Sequence, residues 1–267
     1  MDKPIHMDFQ PDLRSTKWMK GWRDMPEAYI RIKTPGVTTV INDMIPNPDY
    51  ENFVKEVGQE AADRITQAAN WRGSAMHLFI ELFLQEMKIS GDPSKALRET
   101  QIKAPPILLE EKVPQHKIEE GMKLFYKFYE SDYVSDYSEL VGTETDIYDP
   151  YYFYRGKIDW LFKIAPHGLG VRDFKSSSKP IEPGSRKEEG YKFQLGAYAG
   201  AVEHMYKKNK NDVKINYASI VTILTKSEIV QNIELFGKEL DMYKRKYAEL
   251  AKQWHIDHGQ GFLFNQK

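Results

Sequence analysis

Three β-rich segments crowd into residues 138–178, and no other feature constrains the fold of this chain more. SELVGTETDIYD (138–149), YYFYRGKIDWLFKI (151–164) and GVRDFKSSS (170–178) follow one another with gaps too short for a helix. Strands joined so closely pair as antiparallel neighbours, because a parallel crossover needs a dozen residues or more. APHGLG, between the last two, reads as a hairpin connection. Side chains alternate between the faces of a strand. Ile158, Trp160, Phe162 and Ile164 are therefore expected on one face, with Lys157, Asp159, Leu161 and Lys163 on the other. Asp173 and Lys175 share a face of the next strand. Neighbouring strands lie about 5 Å apart, so the carboxylates of Asp159 and Asp173 can converge on one point.

Amphipathic helices flank this block. Val54, Val57, Ala61, Ile65 and Ala68 recur at helical spacing, and Met76, Ile80, Phe83, Leu84 and Met87 continue the stripe. This predicts a helical run from Tyr50 to about Lys88, ended by Gly91, Asp92 and Pro93. Further helices are expected over 118–129, 191–208 and 236–259, with a β-branched strand at 216–226. KAPPILLEE (103–111) reads as a loop, since Pro105 and Pro106 oppose any regular element. TPGVTTVINDMI (34–45) offers a turn signal and a β-branched run that PNPDY stops, and WMKGWRDMPEAYIRIK (18–33) suits a short strand or arm. The expectation is an α/β fold forming one domain over 1–267. Residues 1–135 are its mostly helical N-terminal part, 136–226 a sheet core with its flanking helix, and 227–267 a C-terminal helix.

Composition narrows the chemistry. With 267 residues, 41% of them hydrophobic, the chain can bury a sizeable core. It has no cysteine, which excludes disulfides, thiolate zinc sites and Cys-ligated iron–sulfur clusters, so any metal must be held by His and carboxylates. No apolar run approaches the roughly 20 residues of a membrane span. The first residues lack the apolar core of a secretory signal and the composition of a transit peptide, so no membrane association and a cytoplasmic setting, bacterial or in a phage-infected host, are expected. The net charge of −1 is not that of a globally basic nucleic-acid binder, though phosphate contacts need only a local basic track.

Mg²⁺ and Mn²⁺ take hard oxygen ligands, typically one or two carboxylates with water and phosphate oxygens. Two acids and a lysine on adjoining strands fit metal-assisted phosphodiester hydrolysis. In that chemistry Lys175 orients or deprotonates the attacking water, or balances charge developing at phosphorus. Taken alone, an Asp-x-Lys pair is more often a solvated ion pair. His77 and Glu81 lie four apart on one helix face, as do Gln194 and Tyr198. Trp71 beside Arg72 suits stacking on unpaired bases, and Lys179, Arg186, Lys187 and Lys192 supply local positive charge.

These pieces fall in a particular order. Arg72-Gly73-Ser74-Ala75-Met76-His77 with Ile80-Glu81 comes first, then Gly156-Lys157-Ile158-Asp159. Asp173-Phe174-Lys175-Ser176 and Gln194-Leu195-Gly196-Ala197-Tyr198 follow. The order resembles the RecB-like branch of the PD-(D/E)XK nuclease superfamily. TPGVTTVINDMI looks like the S-V-T-x-V-L segment of mitochondrial genome maintenance exonucleases and related phage exonucleases, with Gly36 in place of the usual serine. The resemblance implies a restriction-endonuclease-like core, a small mixed central sheet flanked by helices, with a helical N-terminal region. It also implies that His77, Asp159 and Asp173 coordinate the metal, with the Phe174 backbone carbonyl, and that Lys175 is the catalytic lysine. Gln194 and Tyr198 would orient the site or contact DNA, Ser176 would bond a phosphate, and Glu144 stands where several members carry an acid. The implied activity is that of a Mg²⁺- or Mn²⁺-dependent DNA exonuclease acting on single strands or free ends in replication, recombination or repair. The alternatives are a flap endonuclease of the same fold and a non-catalytic DNA-end binding module.

Overall fold

The computed structural model describes residues 34–46, 48–135, 140–164, 168–208 and 213–264. The arm expected at 18–33 lies outside them. Helices α1 (Val37–Met44), α2 (Pro48–Val57), α3 (Gln59–Ser90), α4 (Pro93–Glu110), α5 (Gln115–Tyr129) and α6 (Asp132–Ser135) precede the sheet. Strands β1 (Leu140–Tyr148), β2 (Arg155–Ile164) and β3 (Gly168–Ser177) follow, then helix α7 (Arg186–Lys208) and strands β4 (Ile215–Leu224) and β5 (Val230–Phe236). Helix α8 (Gly237–Asp257) and a short 3₁₀ turn (Gly261–Phe264) close the described chain.

The strands form one mixed sheet in the order β1-β2-β3-β4-β5. Neighbours are antiparallel except β3 and β4, which run parallel. Only that pair needs a crossover, and α7 supplies it. Each face of the sheet is covered by helices, and the central strands β3 and β4 are mostly buried on both sides, while β1 and β5 keep exposed positions. One core packs α1, α7 and α8 against Ile158, Leu161, Val171 and Ile220. The other packs α3, α4 and α5 against Trp160, Phe162, Phe174 and Val221.

Several local expectations are corrected. The β-branched run in TPGVTTVINDMI is helical: Val37, Val40 and Ile41 are the buried residues of α1, a spacing of three and four that serves one helix face rather than alternate strand positions. KAPPILLEE is not a loop, because α4 runs through Pro105 and Pro106. A proline inside a helix costs about 3 kcal/mol. Ala96, Thr100, Ala104 and Leu108, all fully buried, form a continuous stripe whose packing offsets that cost. Asp92 caps the start of α4, accepting from the N–H groups of Ser94 and Lys95. The long helical run from Tyr50 is two helices, α2 and α3, broken at Gly58. The segment after residue 226 holds a strand, β5, as well as a helix.

The strict alternation expected along β2 also fails. Ile158 and Leu161 enter the core under α7 and α8, while Trp160 and Phe162 enter the core under α3 and α5. Asp159 meets His77 of α3, so Asp159 and Trp160 face the same side in succession. The partner strand breaks in the same place. Thr143 bonds Gln85 of α3, and the next residue, Glu144, has a left-handed φ of 45°. The alternation therefore slips where the two acids stand.

Candidate active site

His77 sits in the middle of α3, with Asn70, Ser74 and Glu81 seven and three residues before it and four after it. At 100° per residue these side chains share one stripe, and all four line an open cleft of about 690 Å³. Glu144 from β1, Lys157 and Asp159 from β2, and Lys175 and Ser176 from β3 line the same cleft. The sheet and α3 thus deliver its chemistry from opposite walls.

Asp159 is the joint between those walls. Its Oδ2 lies 3.2 Å from His77 Nδ1 and accepts the N–H of Phe174 at 2.7 Å. The β2–β3 ladder runs from Ile164–Gly168 to Trp160–Arg172, and the Asp159 carboxylate takes up the next N–H of β3. Burial opposes ionisation of Asp159, but the neighbouring His77 holds its carboxyl below the ordinary value. Burial likewise opposes protonation of His77, and the charge and hydrogen bond of Asp159 raise it.

Asp173 lies deeper and is 2% exposed. Its Oδ2 is 2.5 Å from Lys175 Nζ, and its Oδ1 accepts from Gln194 Nε2 at 2.9 Å. The same Gln194 amide donates to the Tyr198 hydroxyl at 2.8 Å. Burial and then the charge of Asp159 push Asp173 up to about 6, against the pull of Lys175 and His77. For Lys175 burial acts to lower the ammonium's pKa, yet the Asp173 carboxylate raises it above its ordinary value. Gln194 and Tyr198 are both buried beneath the site. Gly156, at the start of the G-x-I-D stretch, makes room for Tyr198: a Cβ there would lie 2.9 Å from Tyr198 Cε1 and 3.2 Å from Val37 Cγ2.

The structure draws in one residue more firmly than its sequence position suggested. Ligand atoms of His77, Glu144 and Asp159 all lie within 4.8 Å of one another, the arrangement of a group able to hold a metal ion. Asp173 stands outside that group, engaged with Lys175 and Gln194. Burial and then Asp159's charge raise Glu144, while Lys157 approaches it at 3.3 Å. Burial and the charge of Glu144 raise Glu81, which accepts a hydrogen bond from Gln85. An imidazole with two carboxylates is a donor set that suits Mn²⁺ and related divalent ions. The crowding of half-buried acids is a second sign of fit, because a cation would relieve it.

Three residues expected at the site stand away from the cleft. Trp71 and Arg72 lie six and five residues before His77, so the helix turns them roughly 120–140° away from the cleft stripe. Trp71 packs against the α3–α5 core, and Arg72 Nη1 faces Glu120 Oε2 at 3.5 Å. Lys192 is tied to Glu188 at 3.2 Å and Glu239 at 3.6 Å, away from the cleft. Burial pushes the Tyr191 phenol of α7 up to about 12.

A mixed sheet carrying Asp159 and Lys175 at one cleft, with Asp173 beneath Lys175 and α7 crossing between its parallel strands, defines a restriction-endonuclease-like nuclease fold. The family model for the PD-(D/E)XK nuclease superfamily matches residues 50–263, and the chain belongs to that superfamily. A solved structure from Eubacterium rectale, described as a candidate exonuclease, is similar at 11% identity and a TM-score of 0.42, over 71% of this chain and 68% of that one. A second, described as SSO0001, is similar at 12% identity and a TM-score of 0.34, over 89% and 81%. Among curated proteins none matches. Among the described residues no helix is long and apolar enough to cross a membrane.

Proposed function

We infer that this chain is a Mg²⁺- or Mn²⁺-dependent DNA exonuclease that takes single strands or free ends, with residues 1–267 acting as one nuclease domain. The observation that carries the reading is the meeting of His77 from α3, Asp159 from β2 and Lys175 from β3 around one open cleft, with Asp173 paired to Lys175 just beneath it. His77 and Asp159 hold the ion, with Asp173 and the Phe174 carbonyl as the further ligands expected of the family. A bound divalent ion supplies Lewis-acid activation of the phosphoryl group and of water.

The chain's own groups do the rest. Lys175 is kept charged by Asp173, which favours orienting the attacking water and balancing charge at phosphorus over removing a proton. Gln194 fixes the Asp173 carboxylate, and Tyr198 fixes Gln194. Ser176, which lines the cleft, donates to a phosphate oxygen in this reading. The preference for ends and for single strands rests on the resemblance to mitochondrial and phage exonucleases.

End-labelled single- and double-stranded DNA, with a circular single strand alongside, tests this in Mn²⁺ and Mg²⁺. The expected result is release of nucleotides from linear DNA and an intact circle. A cut circle would favour the flap-type endonuclease, and no release from any end would leave a DNA-end binding module. Asp173→Ala and Lys175→Ala should each slow cleavage by about a hundredfold or more. Rates within about twofold of wild type would overturn the site assignment.

A further inference from the structure

We propose that Glu144 is a direct ligand of the divalent ion, completing a grip formed with His77 and Asp159. The inference rests on the reading of this cleft as a metal-dependent nuclease site and goes further in naming a β1 residue as part of the grip. Ligand atoms of the three residues lie within 4.8 Å of one another, and an ion bound at roughly 2.0–2.6 Å can be shared by donors about 4–5 Å apart. The three come from α3, β1 and β2, so the ion would tie the helical wall to two strands of the sheet.

The backbone is arranged to deliver this carboxylate. Glu144 holds a φ of 45° inside a strand, and both β1 and β2 place two successive side chains on the α3 side at this point. A left-handed residue inside a strand re-aims a side chain that regular alternation would send to the other face. The competing role for Glu144 is an ion pair with Lys157, whose Nζ is 3.3 Å away and whose side chain is half exposed. That pair has no need of the His77–Asp159 neighbourhood, whereas a metal ligand does.

Mn²⁺ titration of the DNA-free protein, followed by electron paramagnetic resonance of the free ion, separates these roles. Wild type should bind Mn²⁺, and Glu144→Gln and Glu144→Gly should each weaken Kd by at least about tenfold. Glycine accepts the left-handed φ, so Glu144→Gly should keep or raise Tm while losing affinity, which separates ligation from folding. Lys157→Met, which removes only the ion pair, should leave Mn²⁺ affinity within about twofold or tighten it. Glu144 variants that bind as wild type does, or a Lys157→Met loss as large as theirs, would overturn the inference and leave the nuclease reading standing. A wild-type protein that binds no Mn²⁺ would overturn both.

Discussion

At the scale of the residue, the site depends on a buried relay whose members have few alternatives. Gln194 spends both amide hydrogens, one on Asp173 and one on Tyr198. Gln194→Ala leaves Asp173 Oδ1 and the Tyr198 hydroxyl without that donor in a closed setting. An unsatisfied buried group costs about 1–3 kcal/mol, so urea unfolding should show a loss of that order. Single-turnover cleavage should slow too, because the Asp173 carboxylate is freed to rotate. Tyr198→Phe keeps the ring against Gly156 and removes only the hydroxyl; its stability loss should be the smaller of the two. The pairing of Gln194 with Tyr198 was legible from their four-residue spacing. That Gln194 reaches Asp173 was not, since that contact joins a helix to a strand 21 residues away.

At the scale of the element, α3 is what brings His77 to the sheet, and its position depends on α5. A Cβ on Gly121 of α5 would meet Ala75 Cβ at 2.4 Å, Met76 N at 2.8 Å and Arg72 O at 3.0 Å. The helices touch backbone to backbone there, so no rotamer change can absorb the added methyl. Gly121→Ala should destabilise by about 1–3 kcal/mol, the usual cost of overpacking. It should also weaken cleavage by shifting α3, because Ala75 lies between Ser74 and His77 of the active-site stripe. Thermal melts and DNA cleavage on the same sample check both effects. The amphipathic stripe of α3 was readable from its spacing, but its partner helix was not. The same limit explains α1 and α4: β-branched residues and prolines argue locally against helix, and packing against a neighbour outweighs them.

The whole molecule couples the two cores through the sheet, and its far end has its own pH sensitivity. His255 of α8 is fully buried, with its ring nitrogens near the Gln260 amide oxygen at 3.1 Å and the Phe153 carbonyl at 3.2 Å. Burial lowers its pKa below the ordinary value. A histidine held neutral in the fold binds its proton more readily once unfolded, so its contribution is present above the unfolded pKa of about 6.5 and is lost as pH falls through the folded value. Urea unfolding of wild type against His255→Gln from neutral to mildly acidic pH should show the wild-type advantage shrinking with acid. An advantage that grows with acid would mean that the ring is charged in the fold. Only its enclosure beside Phe153 and Phe264 makes it a core group.

The sequence by itself determined the order of the chemical residues, the strand character of β1 to β4, and the family to which that order belongs. Those properties are carried by short-range patterns, apolar periodicity and motif spacing, which survive without knowledge of the partner surface. The tertiary structure alone decided which side chains meet. It turned Trp71 and Arg72 away from the cleft, set Asp173 and Gln194 beneath the cleft-lining Lys175, and brought Glu144 to His77 and Asp159. Each of those outcomes depends on strand register, on one left-handed residue in β1, or on the rotation of a packed helix. All three are settled by contacts between segments far apart in the chain.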